Sequence, residues 1–293
     1  LSSAHADVGG ASAMSLADFV DQEARAGALA QRVVVQQLAG AVQGLTRRQF
    51  EVSALTVIRP AGTGPLVLSA DSAAGTRAVV ELYGPNQRVG GAIGQLWRKI
   101  TLRNDETAPL QTSMRRAVEH RALMTIAVGD LDLANTRTVA LAALDRGWTM
   151  FAHSPASGVP LTTETPVADV WHALGALHHH QISHGDLRAS EITVDDRAVR
   201  FGGLGNSEYG ASDVQLQSDV AQLLVTTTAM YGAQPAVAAA IEQFGEDTVL
   251  TASGRLTKSA MPQRLRESLP DARAVITEAR DEVKHQTGAD RIQ

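Results

Sequence analysis

Residues 182–192 read Ile182-Ser183-His184-Gly185-Asp186-Leu187-Arg188-Ala189-Ser190-Glu191-Ile192, and the rest of the chain is best read outward from them. An apolar helical pattern precedes this polar segment, running from about Val167 to His179 and ending Leu177-His178. Two short strand-like runs follow, Glu191–Val194 and Val199–Phe201, and then Gly203-Leu204-Gly205, whose first glycine lies 17 residues after Asp186. A long helical pattern, Asp213–Tyr231, comes next and carries Ser218-Asp219-Val220-Ala221-Gln222-Leu223-Leu224.

Upstream the chain is of a different character. Residues 1–13 are small and polar and read as a linker, and Ser15 with Asp18 resembles a capping box ahead of a long Ala/Val/Gln-rich helix that runs to about Leu45. Strands are predicted at Phe50–Ile58, Leu66–Ser69 and Arg77–Tyr83, separated by turns at 60–65 and 72–75. Helical patterns follow at Gln87–Leu102 and Gln111–Ala127, then strands at Thr138–Leu144 and Thr149–Ala152. Beyond Pro160 helices dominate, with further ones at Gln234–Phe244 and over an amphipathic stretch from Pro262 to Lys284. The expected organisation is a linker over 1–14, a helix and sheet-bearing lobe over 15–155, and a helical lobe over 156–293, with no internal repeats.

Composition narrows the function classes. A chain of 293 residues can bury a real core. Aromatics make up only 4% of it, so Ala and Val must do most of the apolar packing, as in a high-GC bacterial protein. A net charge of −5 argues against nucleic acid as a main partner, because no basic excess is available to neutralise phosphates. With no cysteine, disulfides and thiolate zinc sites are excluded, which is compatible with the cytosol. No run of about 18 apolar residues is present to span a membrane. Both ends, Leu1 and the charged pattern up to Gln293, are expected to be cut from something longer.

The segment around His184-Gly185-Asp186-Leu187 resembles the catalytic loop of kinase-like phosphotransferases, in the form used by the aminoglycoside and maltose kinase-like branches. Gly203-Leu204-Gly205 stands where an Asp-Phe-Gly would be, and Ser218–Leu224 resembles the helix whose buried Asp pins the catalytic-loop backbone. Val79-Val80-Glu81-Leu82-Tyr83 sits where the phosphate-anchoring strand carries its Lys, and Val118-Glu119-His120-Arg121-Ala122-Leu123 sits where a helix carries the paired Glu. More narrowly, Val80–Arg103, with Leu96-Trp97-Arg98, and Gln222–Gly232 resemble a group of actinobacterial membrane proteins. In that group a cytoplasmic kinase-like domain precedes a lysylphosphatidylglycerol-synthase-like or flippase-like transmembrane region. The resemblance implies an α+β, bilobal protein-kinase-like fold, with a small N-lobe built on a five-stranded antiparallel sheet and a larger helical C-lobe. It also implies a place on the cytoplasmic face of a membrane.

Phosphoryl transfer on such a fold needs a Lys on the phosphates, a Glu that orients it, an Asp that accepts the substrate proton, and an Asn and a second Asp on magnesium. By the resemblance, the base position survives as Asp186. The Asn position is Glu191, which could still ligate a hard cation. The metal Asp has become Gly203, the Lys has become Glu81, and its partner Glu has become Arg121. Loss of one preorganised charge typically costs ~10²–10³ in rate. A carboxylate about 4 Å from a phosphate repels it by roughly 4 kcal/mol at an effective dielectric near 20. Ala61-Gly62-Thr63-Gly64, flanked by Pro60 and Pro65, lacks the full phosphate-cradling pattern. The implied function is therefore a pseudokinase that binds or regulates, with no cofactor, attached to a transmembrane region and contacting a protein partner or anionic lipid headgroups. The alternatives are a divergent ATP- and magnesium-dependent phosphotransferase using Asp186 as base, and a pure protein-interaction domain.

Each of these residues also has a plainer reading. Asp186 can brace its loop, and Asp219 reads as structural. His178-His179-His180 cannot all face one ion, because consecutive helical residues diverge, so a helix-end cluster favoured by the macrodipole is expected. Arg115, Arg116 and Arg121 are more often a solvated face. Arg98, Lys99 and Arg103 could approach lipid headgroups. Arg264, Arg266, Arg273 and Arg280 beside Glu267, Glu278 and Glu282 read as a mixed-charge exposed helix. One expectation is sharper: Glu81 and Arg121 should touch, preserving the Lys–Glu pairing with its charges exchanged.

Overall fold

The computed structural model describes residues 14, 15, 18, 28–59, 64–84 and 110–289. The linker at 1–13, the helix expected at Gln87–Leu102, the turn at 60–63 and the basic residues Arg98, Lys99 and Arg103 lie outside the described residues. The chain divides into two compact units, Leu1–Ile126 with Thr136–Pro155, and Ala127–Asn135 with Ala156–Gln293.

The first unit is built on a sheet of β1 (Met14–Ser15), β2 (Val52–Arg59), β3 (Leu66–Ser72), β4 (Arg77–Tyr83), β5 (Thr138–Ala143) and β6 (Thr149–His153). The order is β1-β2-β3-β4-β6-β5 and every pairing is antiparallel, so the short β1 adds a sixth strand to the five expected. Alternation along β4 sends Ala78, Val80 and Leu82 into the core and leaves Val79, Glu81 and Tyr83 on the other face. Helix α1 (Ala28–Thr46) covers the first face, where its Leu38, Ala41 and Leu45 join Leu68, Val80, Leu82 and Met150. Gly44 permits the close approach, since a Cβ there would stand 2.9 Å from the Met150 methyl. The second face holds Phe151, with Tyr83 and Leu141 beside it, and receives Val118 and Ala122 of α2 (Leu110–Gly129).

Local hydrogen bonding moves two strand ends from where the pattern places them. Phe50 donates its N–H to Leu45 O at 3.1 Å, which closes the turn after α1, so β2 starts only at Val52. Strand β3 continues to Ser72 because Asp71 faces Arg77 across the ladder and the two are ion-paired at 2.7 Å. Ser15 does accept the Asp18 N–H at 3.1 Å, but the Asp18 carboxylate takes the Ser15 hydroxyl at 2.6 Å.

The second unit contains α3 (Val167–His179), α4 (Asp213–Tyr231), α5 (Ala233–Phe244), α6 (Glu246–Ser253), α7 (Gln263–Glu267) and α8 (Ala272–Thr287). Its strands are short: β9 (Ile192–Asp195) pairs with β10 (Ala198–Phe201) and β7 (Val159–Pro160), and β8 (Ile182–Ser183) pairs with β11 (Glu208–Tyr209). The β9–β10 turn puts Asp196 and Arg197 at positive φ (45° and 71°), the twist that a two-residue hairpin favours. Helix α4 is its axis, with every residue from Asp219 to Thr228 buried. A helix buried all round must satisfy its polar side chains internally, which decides the site below.

Two helical expectations need correction. The stretch expected as one helix from Pro262 to Lys284 is two, because Pro270 cannot continue a helix and Asp271 instead caps α8 by accepting the Ala274 N–H at 3.0 Å. That last helix is also not merely exposed: Ile276, Ala279 and Val283 are buried along one stripe. Helix α6 escaped the sequence reading altogether. Among the described residues no helix is long and apolar enough to cross a membrane.

Candidate functional site

The loop after β8 is shaped by one buried carboxylate. Asp219 accepts the His184 N–H on Oδ2 at 2.7 Å and the Gly185 N–H on Oδ1 at 2.8 Å. One turn further along α4, Gln222 Oε1 accepts the Leu187 N–H at 3.1 Å, and another turn on, the Thr226 hydroxyl donates to Leu187 O at 2.6 Å. Positions 219, 222 and 226 share one helix face, so a single rigid element fixes the loop backbone from both sides of Asp186. Gly185 takes φ +83°, and a Cβ there would stand 2.8 Å from Asn206 O, so only glycine fits. His184 is fully buried; its Nδ1 accepts the Asp186 N–H at 3.0 Å, which leaves the proton on Nε2 to donate to Gly202 O at 2.8 Å.

Within this frame Asp186, Glu191 and Gly203 come together, joined by a residue whose role the sequence reading did not identify. Arg188 grips Asp186 with both prongs, Nε to Oδ1 at 2.7 Å and Nη2 to Oδ2 at 2.8 Å, and the same Nη2 reaches Glu191 Oε1 at 3.1 Å. Bonding to Asp186 pushes the Arg188 guanidinium further above its ordinary value, against the pull of burial and with help from Glu191. Gly203 adopts φ 63°, and a Cβ built on it would lie 2.8 Å from Cδ and Oε2 of Glu191. The Glu191 carboxylate thus fills the space into which a side chain at 203 would project, so the two positions fit each other.

These residues do not suit magnesium. Gly203 offers no ligand, and a guanidinium already lies between the carboxylates of Asp186 and Glu191. Among the described residues no group of three or more His, Cys, Asp or Glu is placed to hold a metal ion. His179 and His180 are exposed, whereas His178 turns inward and donates from Nε2 to Asp219 Oδ2 at 3.0 Å, a bracing role the helix-end reading missed.

The second cluster belongs to the first unit. Glu81 Oε2 accepts from Arg121 Nη1 at 2.7 Å, the contact that the exchanged charges led one to expect. Arg121 is not a solvated residue. Its Nη1 also donates to the Tyr83 hydroxyl at 3.2 Å, and its guanidinium carbon stands 5.1 Å from the centre of the Phe151 ring, in cation–π range. His153 Nε2 lies 3.6 Å from Glu81 Oε2, beyond hydrogen-bond range. Burial alone would raise the Glu81 carboxyl; His153 and Arg121 outweigh it and hold the group below the usual carboxylate range. Burial and the Glu81 charge push Tyr83 up to about 12. Tyr83, Phe151 and His153 went unassigned in the sequence, although strand alternation and the Glu81–Phe151 pairing put them on this face.

A loop carrying His-Gly-Asp, pinned by a buried Asp from a later helix and followed by a short hairpin, decides the architecture. The fold is kinase-like. Neither a protein-family model nor a curated protein matches the sequence. Among solved structures, it is similar to a candidate fructosamine-3-kinase from Haemophilus somnus at 7% identity and a TM-score of 0.49, over 84% of this chain and 96% of that one. A thermostable mutant of an aminoglycoside phosphotransferase is similar at 12% identity and a TM-score of 0.39, over 84% and 99%. The bifunctional kinase-methyltransferase WbdD is similar at 14% identity and a TM-score of 0.36, over 55% of this chain but only 34% of that one. At TM-scores below 0.5 none of these likenesses carries an argument about what the chain does.

Removing one partner of a largely buried ion pair costs about 3 kcal/mol or more, so Glu81→Lys should destabilise strongly and the double change with Arg121→Glu should recover most of the loss in chemical denaturation. The Glu81 carboxyl is depressed in the folded state, so its contribution is complete above the ordinary value of 4.5 and is lost as pH falls below it; the gap between wild type and Glu81→Gln should close in that acid range. Independently, Asp219→Ala leaves buried N–H donors unpaired and should cost roughly 3 kcal/mol, with Asp219→Asn intermediate. An unchanged melting temperature in Asp219→Ala would contradict the brace.

Proposed function

We propose that this chain is a pseudokinase-type domain that binds or regulates, and does not transfer phosphate. The observation that carries this reading is the Arg188 bridge: a cation supplied by the chain itself lies between the base-position Asp186 and the Asn-position Glu191. The arrangement keeps the loop's shape and charge balance without a metal ion. The Glu81–Arg121 pair supports the same reading, because the strand presents a carboxylate where a phosphate would need a cation.

The regulated partner we propose is an attached transmembrane module, with the domain on the cytoplasmic face of the membrane. The support is the resemblance of Val80–Arg103 and Gln222–Gly232 to actinobacterial proteins of the lysylphosphatidylglycerol-synthase-like kind. Residues 222–228 are buried in α4, so that part of the likeness speaks for a shared core and not for a membrane contact. A protein partner or anionic lipid headgroups would meet the domain elsewhere on its surface. The divergent-phosphotransferase reading draws on the intact Asp186 loop, and it requires Arg188 to release both carboxylates.

A coupled assay with ATP and magnesium or manganese separates these readings. Turnover should not exceed that of a matched Asp186→Ala control. Metal-dependent turnover that Asp186→Ala abolishes would replace the pseudokinase reading with the phosphotransferase one. A nucleotide-dependent thermal shift without turnover would mark a nucleotide-binding pseudokinase, and silence in both would leave a pure interaction domain.

A further inference from the structure

The two edges of the sheet in the first unit are unlike. At one edge β1 is two residues long, and β2 beside it is irregular after Val52 and after Val57 and ends on Arg59. Short strands, bulges and charge are the usual guards of a sheet edge. At the other edge β5 has almost none of them. The run Thr138–Leu144 holds neither a charged residue nor a proline, and the one irregularity in its pairing with β6 lies at its start, between Thr138 and Ala140. Among the described residues no strand pairs with its outer side.

The ladder sets which backbone groups that side presents. Leu144 donates its N–H to Trp148 O at 2.8 Å, so Leu144, Ala142 and Ala140 turn their backbone groups towards β6. Leu141 and Ala143, which alternate with them, turn theirs outward. The edge therefore offers two N–H and two C=O groups at strand spacing, the recognition pattern of another extended chain.

Helix α2 adds an independent observation. Its Arg121 reaches Glu81 and Tyr83 on β4, and its Ala122 packs with Leu141 and Phe151. Successive helical residues are about 100° apart, so Leu123 projects on the side opposite Arg121. With the strands ordered β4-β6-β5, that side overhangs the β5 edge, and Ile126 lies between Ala122 and Leu123 around the helix. Leu123 is 64% exposed and Ile126 47%. Singly such residues mean little; above an unguarded edge they extend one apolar strip.

We propose that two copies of this chain associate through β5, pairing antiparallel about Ala142. Leu141 of each copy then exchanges both backbone hydrogen bonds with Ala143 of the other, and all the outward groups are satisfied. Ala142 meets itself in the non-hydrogen-bonded position, where Cα atoms stand about 4.5 Å apart and a small side chain fits. The two-fold axis runs through the sheet, so both α2 helices lie on one face and Leu123 and Ile126 of each copy cover those of the other. A foreign strand would satisfy the edge but leave these two side chains uncovered. A second copy does both, and an edge without charge does not repel itself. The association is independent of the chemistry at Asp186.

The chain has no cysteine, so single introduced cysteines report the pairing cleanly. Under mild oxidation of the full chain, Ala142→Cys should form a covalent dimer about tenfold or more faster than Ala143→Cys or Ala54→Cys. Random collision would favour the latter two, because Ala143 and Ala54 are exposed and Ala142 is half-buried. Position 143 is two residues out of register with its own copy, and position 54 is on the guarded edge. Sedimentation equilibrium of the unmodified chain should show a monomer–dimer equilibrium. Leu123→Lys/Ile126→Lys should weaken it about tenfold or more by facing like charges, with an unchanged melting temperature showing that this surface variant folds. The proposal is overturned if the chain stays monomeric up to about 1 mM. It is equally overturned if Leu123→Lys/Ile126→Lys dimerises as tightly as the unmodified chain, or if Ala142→Cys cross-links no faster than Ala54→Cys.

Discussion

The carboxylate of Asp219 is the constraint on which the helical unit's site depends. Buried in a helix, it must find donors within the protein, and it finds the backbone N–H groups of His184 and Gly185 and the imidazole of His178. That demand fixes the loop, and the loop then fixes everything it carries. Gly185 is forced to positive φ, His184 into one tautomer, and Asp186 into the reach of Arg188. None of this requires catalysis.

The proposed pseudokinase reading turns on where the counter-charges come from. In a working phosphotransferase magnesium and the substrate's phosphates complete the charge balance. Here each cluster is completed from within: Arg188 answers Asp186 and Glu191, and Arg121 answers Glu81. Both arginines have planar forks suited to carboxylates, and both are shielded enough for the pairing to matter. The substitutions are mutually adjusted. Glu191 occupies the room that Gly203 leaves, and Arg121 gains the Phe151 face and the Tyr83 hydroxyl as well as its carboxylate.

Much of this was legible in the sequence where pattern and chemistry coincide. Helices α3 and α4 and strand β4 end where the periodicity and turn residues place them, and Asp219 and the Glu81–Arg121 contact followed from position in a recognisable order of motifs. The misses have physical causes. Arg188 stood in full view, but two residues from Asp186 it reads as a solvated charge, and only the loop's folding turns it back onto the carboxylate. Gln222 and Thr226 look like ordinary polar residues on an apolar helix until its burial on all sides demands partners for them. His178 was read with its neighbours as a helix-end group, yet its one inward rotation separates it from His179 and His180. Helix α6 is short, and Gly245 before it reads as a break.

The central claim is that Arg188 stands in for the metal ion, and manganese binding tests it most directly. Electron paramagnetic resonance of Mn²⁺, with a non-hydrolysable ATP analogue present, counts ions bound per chain. The account predicts no saturable Mn²⁺ in the wild-type protein. A saturable site that Glu191→Gln or Asp186→Asn removes would contradict it.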